Sequence, residues 1–243
     1  MGRLTVGRLT LDRILQSQGF GTRRECRALI REGLVAIAGE VCVGFDAGLE
    51  TEGLSFAVRG ETWNYHSRLY IALNKPPDFE CSRKPSHHPG VLSLLPRQYR
   101  FRETQSVGRL DHDTTGLLLI SDDGAFIHQQ TSPKRQVPKT YVARAHDPVT
   151  PELVAQLLGG VHLSDEPGPI SAQACRQLDQ HSLEIVLDQG KYHQVKRMLA
   201  AAGNHCEALH RSAIGRLELA SLGLAEGEWR HLDPGQRVLL NAV

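Results

Sequence analysis

Residues 116–121 read GLLLIS, a short apolar run closed at both ends by residues that turn a chain. Arg109, Asp111, His112, Asp113 and Thr114 stand before it, and Asp122, Asp123 and Gly124 behind it. Such a run reads as a strand that dives into the core. It therefore needs a sheet around it and a tight, polar turn at its mouth. Gly108 and Gly116 permit tight backbone there, and Thr114 and Thr115 are placed to satisfy turn amides. An aspartate held at the mouth of that strand by Arg109 would be oriented, partly desolvated and charge-compensated. Those are the conditions of a nucleophile or general base. An Asx-type turn capped by aspartates, with Arg109 in a surface ion pair, fits the same residues, and local chemistry leaves both open.

The neighbouring segments suggest what surrounds that strand. RLYIALNKPP predicts a strand stopped by Pro76 and Pro77, followed by a loop through His87–Pro89 and a short helix near Val91–Leu95. Gly124 to about Thr131 reads as a helix. PKRQVPKTYVARA is a basic loop running into a strand. TPELVAQLLGG is a helix with Thr150 as N-cap and Pro151 at its first position. SLEIVLDQG is a strand, KYHQVKRMLAAAG a helix ended by Gly203, and HCEALHRSAIGRLELASL two further strands. Helices and strands mix without regular β-α-β alternation. The fold class is α+β, with a mixed, largely antiparallel sheet flanked by helices.

The front of the chain differs in charge. Residues 1–31 hold seven arginines against Asp12 and Glu25, although the whole chain has a net charge of only +1. Arg8–Gly19 predicts a helix with Leu11, Ile14 and Leu15 inward. Gly21–Gly33 predicts a second, opened by a capping box of Thr22 and Glu25. Arg24, Arg27 and Arg31 share one face of it. That face can meet phosphates, or it can be an ordinary solvated surface. Leu34–Gly44 reads as a hairpin turning at Ala38–Gly39. Residues 8–55 form this compact unit, 56–68 are polar and aperiodic and read as a linker, and 69–243 form the larger domain.

Composition excludes several classes. The five cysteines form no C-x-x-C pair and read as reduced thiols in a cytosolic protein, with no zinc knuckle. His193, His205 and His210 are too irregularly spaced for a metal motif, so no metal is expected. The opening MGRLTVGRLT lacks the apolar core of a signal peptide. No stretch approaches the ~18 apolar residues of a membrane helix.

Two resemblances sharpen this reading. RLTLDRILQSQGFGTRRECRALIREGLVAIAGEV resembles the S4 RNA-binding domain, with Ala38 where an asparagine is usual. GRLDHDTTGLLLISDDG resembles the catalytic motif of RNA pseudouridine synthases, in the branch typified by the small-subunit ribosomal enzyme. PKTY, GKYHQVKRMLAAAGNH and ALNKPPDFECS match that family's further motifs in its order. The resemblance implies Asp111 as the catalytic residue, Tyr141 as the residue that stacks on the target base and Lys196 as the basic partner of Asp111. Asp113 is then a structural turn residue. Independently, a cation in a helix's first turn opposes the macrodipole, so Lys196 asks for a nearby anion.

Arg109, Lys75, Lys139 and Arg197 are candidate RNA contacts beside Arg24, Arg27 and Arg31. The implied activity is isomerisation of one uridine in small-subunit ribosomal RNA by a monomer, with a ribonucleoprotein particle as partner and no cofactor. Three alternatives are a large-subunit enzyme of the same family, an inactive assembly factor, and a hydrolase pairing Asp111 with Asp113. The last would need carboxylates some ~5–9 Å apart and lacks accompanying substrate-binding aromatics.

Overall fold

The computed structural model describes residues 7–241. The expectation about a leader falls partly on residues 1–6 and there lies outside the described residues. Contacts divide the chain into two compact units. One runs to Leu69 and includes Leu95–Thr104; the other holds Tyr70–Leu94 and everything from Gln105 onward.

In the first unit, β1 (Arg8–Thr10) leads into α1 (Leu11–Ser17) and α2 (Arg23–Arg31). The helix expected from Arg8 thus starts later, because Arg8–Thr10 pairs with a later strand. The capping box of α2 forms as read: the Glu25 amide donates to Thr22 Oγ1 at 3.3 Å, and the Thr22 amide donates to the Glu25 carboxylate at 2.7 Å. The hairpin β2 (Val35–Ile37) and β3 (Glu40–Val41) turns at Ala38 and Gly39, with φ of 50° and 84°. Two successive left-handed residues make the primed turn that hairpin twist favours.

β4 (Gly48–Glu50) is the partner of β1, and β5 (Ser55–Val58) and β6 (Glu61–Asn64) complete a sheet of order β3-β2-β5-β6. Most of the stretch expected as a linker, 56–68, is therefore a hairpin. Phe56 and Val58 are buried, and Trp63 meets Phe20 edge-on. The stretch looks aperiodic because the solvent-facing residues of a one-sided hairpin dominate its composition. α3 (Arg97–Phe101) also belongs to this unit, and the following Arg102 donates to Gln18 Oε1 and to the His66 carbonyl.

The second unit contains, in chain order, β7 (Tyr70–Lys75), β8 (Gln105–Val107), β9 (Thr115–Ser121), α4 (Gly124–Thr131), β10 (Lys139–Ala145), α5 (Pro151–Gly159), β11 (Ala174–Gln177), β12 (Ser182–Leu187), α6 (Gln194–Ala201), β13 (Cys206–Ile214), β14 (Leu217–Glu218), β15 (Trp229–His231) and α7 (Pro234–Leu239). Val91–Leu94 is a 3₁₀ turn where a short helix was expected. The main strand order is β11-β12-β10-β13-β9-β7-β15, with β14 on β13 and β8 on β9. Every pairing among these strands is antiparallel except β9 with β13. The sheet is mixed and largely antiparallel, and helices flank it.

β9 explains the run GLLLIS. Leu117 and Leu119 pack with Ala72, Val107 and Ile214, while Leu118 and Ile120, which alternate to the other face, are fully buried too. A strand covered on both faces needs no polar alternation. At its start the parallel pairing brings Gly116 against Arg211. A Cβ on Gly116 would lie 2.3 Å from the Arg211 carbonyl oxygen, and Gly116 has φ 101°. Glycine is the residue that allows β9 and β13 to meet there.

Candidate active site

The turn before β9 is fastened from below. Lys75, at the end of β7, is fully buried, and its ammonium donates to the carbonyls of Pro76, His112 and Thr114, each at 2.9 Å. Three donors meet three acceptors, so the turn's carbonyls are held in place. The Asp78 amide also donates to the His112 carbonyl, and the Thr114 amide to that of Asp111. Burial lowers the Lys75 pKa, opposed by the charges of Cys81, Asp113, Asp111 and Asp78. This corrects the expectation that Lys75 contacts RNA: its charged end faces the inside of the turn. The threonines differ from expectation as well. Thr115 Oγ1 bonds His210 Nδ1 at 2.9 Å, and Thr114 Oγ1 is buried without a partner.

α6 brings the cation. Its N-cap, His193, is left-handed at φ 45°, and Lys196 sits in the first turn. Residues three apart share a helix side, and both reach the aspartates. Lys196 Nζ lies 3.3 Å from Asp111 Oδ2, and His193 Nε2 lies 3.1 Å from Asp111 Oδ1. Lys196 Nζ also donates to both Asp113 oxygens, at 2.6 and 2.8 Å. The anion that Lys196 requires in a helix's first turn is thus present twice over.

Burial alone would raise the Asp113 pKa, but the hydrogen bond and charge of Lys196 hold it below the usual range. Lys196 is raised: burial opposes this, and Asp113 and Asp111 outweigh it. Arg109, expected to hold the aspartate, is exposed and has no ion pair among the described residues. Asp113, expected as a turn residue only, is the nearer partner of Lys196.

Tyr141 lies on β10, opposite Arg211 of β13 and Ile185 of β12. It lines a pocket of about 810 Å³ together with Arg109, Asp111, Lys139, His193 and Arg211. That volume is in the range of small-molecule sites. Asp111, Tyr141, Arg109 and Lys139 therefore share one cavity, with Lys196 behind Asp111. Arg197 is engaged elsewhere: it pairs with Asp165 and donates to the Tyr192 carbonyl.

The arginines of α2 divide. Arg24 and Arg31 are exposed. Arg27 is turned partly inward: its Nε donates to Asp12 Oδ2 at 2.7 Å, and its guanidinium lies 4.6 Å from the Phe45 ring centre. Arg23 Nε donates to the same oxygen at 2.7 Å.

Sequence reasoning missed His193 as a partner of Asp111 and missed Arg211 altogether. Signals for both exist. His193 and Lys196 stand three apart at a helix start, and Arg211 occupies an inward position of the alternation Leu209, Arg211, Ala213. For a metal, one group among the described residues brings three donor atoms within 4.8 Å: Asp78, His88 and His112. The two imidazoles stack with centres 4.4 Å apart and planes at 11°, so their in-plane lone pairs do not converge on one ion. His193, His205 and His210 form no such group among the described residues.

The chain is also similar to known proteins. The sequence profile of the RNA pseudouridylate synthase family matches residues 69–201, and that of the S4 domain matches residues 9–42. A Vibrio vulnificus protein named ribosomal small subunit pseudouridine synthase A is 36% identical over 232 residues, covering 92% of this chain and 96% of its own. A Bacillus subtilis protein named as an uncharacterized RNA pseudouridine synthase is 34% identical over 239 residues, covering 96% of this chain and 98% of its own. A solved structure described as a pseudouridylate synthase superposes with a TM-score of 0.67 at 34% identity, covering 96% of this chain and 99% of that one.

Proposed function

The chain belongs to the RNA pseudouridylate synthase family, and we propose that it converts one uridine of small-subunit ribosomal RNA into pseudouridine. The observation that carries this reading is Asp111, held by Lys196 and His193 at the wall of a pocket that Tyr141 also lines. The small-subunit substrate is supported by relatives of that name that match nearly end to end.

The reaction breaks the N1–C1′ bond of uridine, turns the base and joins C5 to C1′. The C5 proton leaves and N1 gains one, so the product is an isomer. No oxidant is consumed and no group is lost, so the reaction calls for no cofactor. A uridine inside folded RNA must first be flipped out, at a cost of a few kcal/mol in stacking. Tyr141 stacks on the flipped uracil. Asp111 acts on the ribose or the base as nucleophile or base, with one oxygen on Lys196 and the other on His193. Contact with both oxygens orients the carboxylate before the substrate arrives.

Arg109, without an ion pair among the described residues, fills the space the base leaves or holds a phosphate. Arg24, Arg31 and the outer face of Arg27 meet RNA phosphates from the first unit, and the domain assignment follows: an S4-like RNA-binding unit and a catalytic one. The protein works as a monomer on a small-subunit particle in the cytoplasm.

Carbodiimide primer-extension mapping of both ribosomal RNAs, from cells with and without the gene, tests this reading. The expected result is loss of one stop in the small-subunit RNA, restored by the wild-type gene and not by Asp111→Asn. Loss in the large-subunit RNA overturns the substrate. No change in either overturns the function.

A further inference from the structure

β13 carries a charged side chain where its alternation calls for an apolar one. Arg211 lies between the inward Leu209 and Ala213 and is only 3% exposed. Its Nε donates to the Leu117 carbonyl at 2.7 Å, but its Nη2 is buried without a hydrogen-bond partner. A guanidinium does not shed its proton in a protein. A second cation stands beside it. Lys139 and Tyr141 share a face of β10, being two apart, and Tyr141 is registered opposite Arg211. The Lys139 ammonium donates to the Val137 carbonyl at 2.6 Å. Burial, and next the charge of Arg211, push the Lys139 pKa down to about 8, with Asp188 acting the other way.

Neither cation has a carboxylate within ion-pair distance among the described residues. The Asp188 carboxylate instead accepts from Gln136 Nε2 at 3.3 Å. Two like charges side by side, one with a buried orphan donor, are unfavourable for the fold. Both line the pocket that holds Asp111 and Tyr141. The Arg211 guanidinium carbon lies 6.0 Å from the Tyr141 ring centre, beside the surface on which a base would stack. An arrangement that costs stability and sits in the pocket is explained by what enters the pocket.

We propose that Arg211 and Lys139 form a cation pair that takes the negative charge developing on the uracil carbonyl oxygens as the N1–C1′ bond breaks. This rests on the pseudouridine synthase reading and deepens it by adding two catalytic residues on the sheet. When the bond breaks, its electron pair stays with the base and spreads over N1, O2 and O4. The base turns, C5 bonds to C1′, the C5 proton leaves and N1 is protonated, and the charge is gone. A cation that meets charge only in that interval raises the rate without tightening substrate binding. An RNA phosphate would offer the same anionic oxygen, but it is charged throughout and would strengthen binding instead.

Single-turnover kinetics on the small-subunit RNA separate these cases. In Arg211→Met and in Lys139→Met, the rate at saturating RNA should fall by about 10²–10³-fold, the usual loss for one preorganised donor to a developing charge. The Kd for the RNA should stay within about threefold, and the Tm of Arg211→Met should stay near that of wild type, since the bond lost to the Leu117 carbonyl offsets removal of an uncompensated buried charge. The wild-type rate should fall as pH rises through 8, and that limb should vanish in Lys139→Met. Weakened binding with an unchanged saturated rate overturns the proposal in favour of a phosphate clamp. Unchanged rate and binding overturn it outright. If Arg211→Met does not fold, Lys139→Met carries the same prediction from a partly exposed position. Wild-type enzyme that forms no pseudouridine sinks the functional reading; wild-type product with unaffected variants sinks the pair alone.

Discussion

Each unit of the molecule has an ionic centre, and the two are near inversions of each other. In the first unit one aspartate faces two arginines; in the second one lysine faces two aspartates. Asp12 has a side-chain exposure of 1%, and its Oδ2 accepts from both Arg23 and Arg27 while its Oδ1 accepts from Thr10. Burial would raise its pKa, but the hydrogen bonds of Thr10, Arg23 and Arg27 outweigh that and hold it far below the usual range. Every oxygen of that centre is engaged. Around Lys196 the partners stay partly open: Asp111 has a side-chain exposure of 26% and faces a cavity, and Arg109 and Arg211 stand in the same cavity without carboxylate partners among the described residues. A satisfied and sealed ion cluster holds a fold together, and an incompletely satisfied one beside a pocket points to chemistry.

That contrast can be broken experimentally, and the largest effect is expected where charge meets the pocket. Asp111→Asn should lower the single-turnover rate by about 10³-fold or more with little change in Tm. An equal loss of Tm would make Asp111 a structural residue like Asp12. The next effect belongs to Lys75, which is in the second unit but sealed like the first unit's centre. Lys75→Met strands the carbonyls of Pro76 and Thr114, while that of His112 keeps the Asp78 amide, and should cost about 2 kcal/mol in urea denaturation, with activity lost through the loosened turn.

Asp12→Ala should cost less, about 1–2 kcal/mol, because Arg23 and Arg27 are partly exposed and regain water. Single-turnover rate at saturating RNA should not change, and a fall there would show that the first centre also serves catalysis.

The titration of Lys139 near neutral pH gives a smaller effect, with opposite signs for stability and activity. Its pKa is about 8 in the folded protein and near ~10.4 unfolded. Between those values the unfolded chain binds more protons, so stability should rise with pH while the rate falls. The difference in Tm between wild type and Lys139→Met, followed from pH 7 to 10, checks the sign. Smallest of all, alanine at Arg24 or Arg31 should reduce the slope of log affinity against log salt by about 0.7–0.9 for each phosphate no longer neutralised. The same change at Arg27 should also lower stability, since Asp12 loses a partner.

Much of the site was legible because its residues lie in short motifs. Asp111, Tyr141 and Lys196 each stand in a short motif that resembles the family's, and the resemblance picked them where their own neighbours left a second reading open. Thr22 with Glu25, Ala38 with Gly39, and Thr150 with Pro151 were legible without it: capping and turn geometry are decided within four residues. Lys75 was misread because nothing near it in sequence shows that its ammonium ends under residues 112–114. Arg109 was misread as the holder of Asp111 because it is the nearest cation in sequence, whereas the cation that holds it is 85 positions away, on α6.

The sequence by itself determined the local pieces: the α+β mixture, the capped helices, the tight hairpin, the strand buried on both faces and the order of motifs that names the family. Those rest on periodicity, capping and backbone freedom, which act over a few residues. Tertiary structure alone decided which charges are sealed and which are open. It closed Asp12 between two arginines, turned Lys75 inward, set His193 and Lys196 on Asp111, and placed Arg211 beside Tyr141. The physical reason is that the energy of a charge depends on its burial and its partners, and both are set by strands and helices that meet only once the chain is folded.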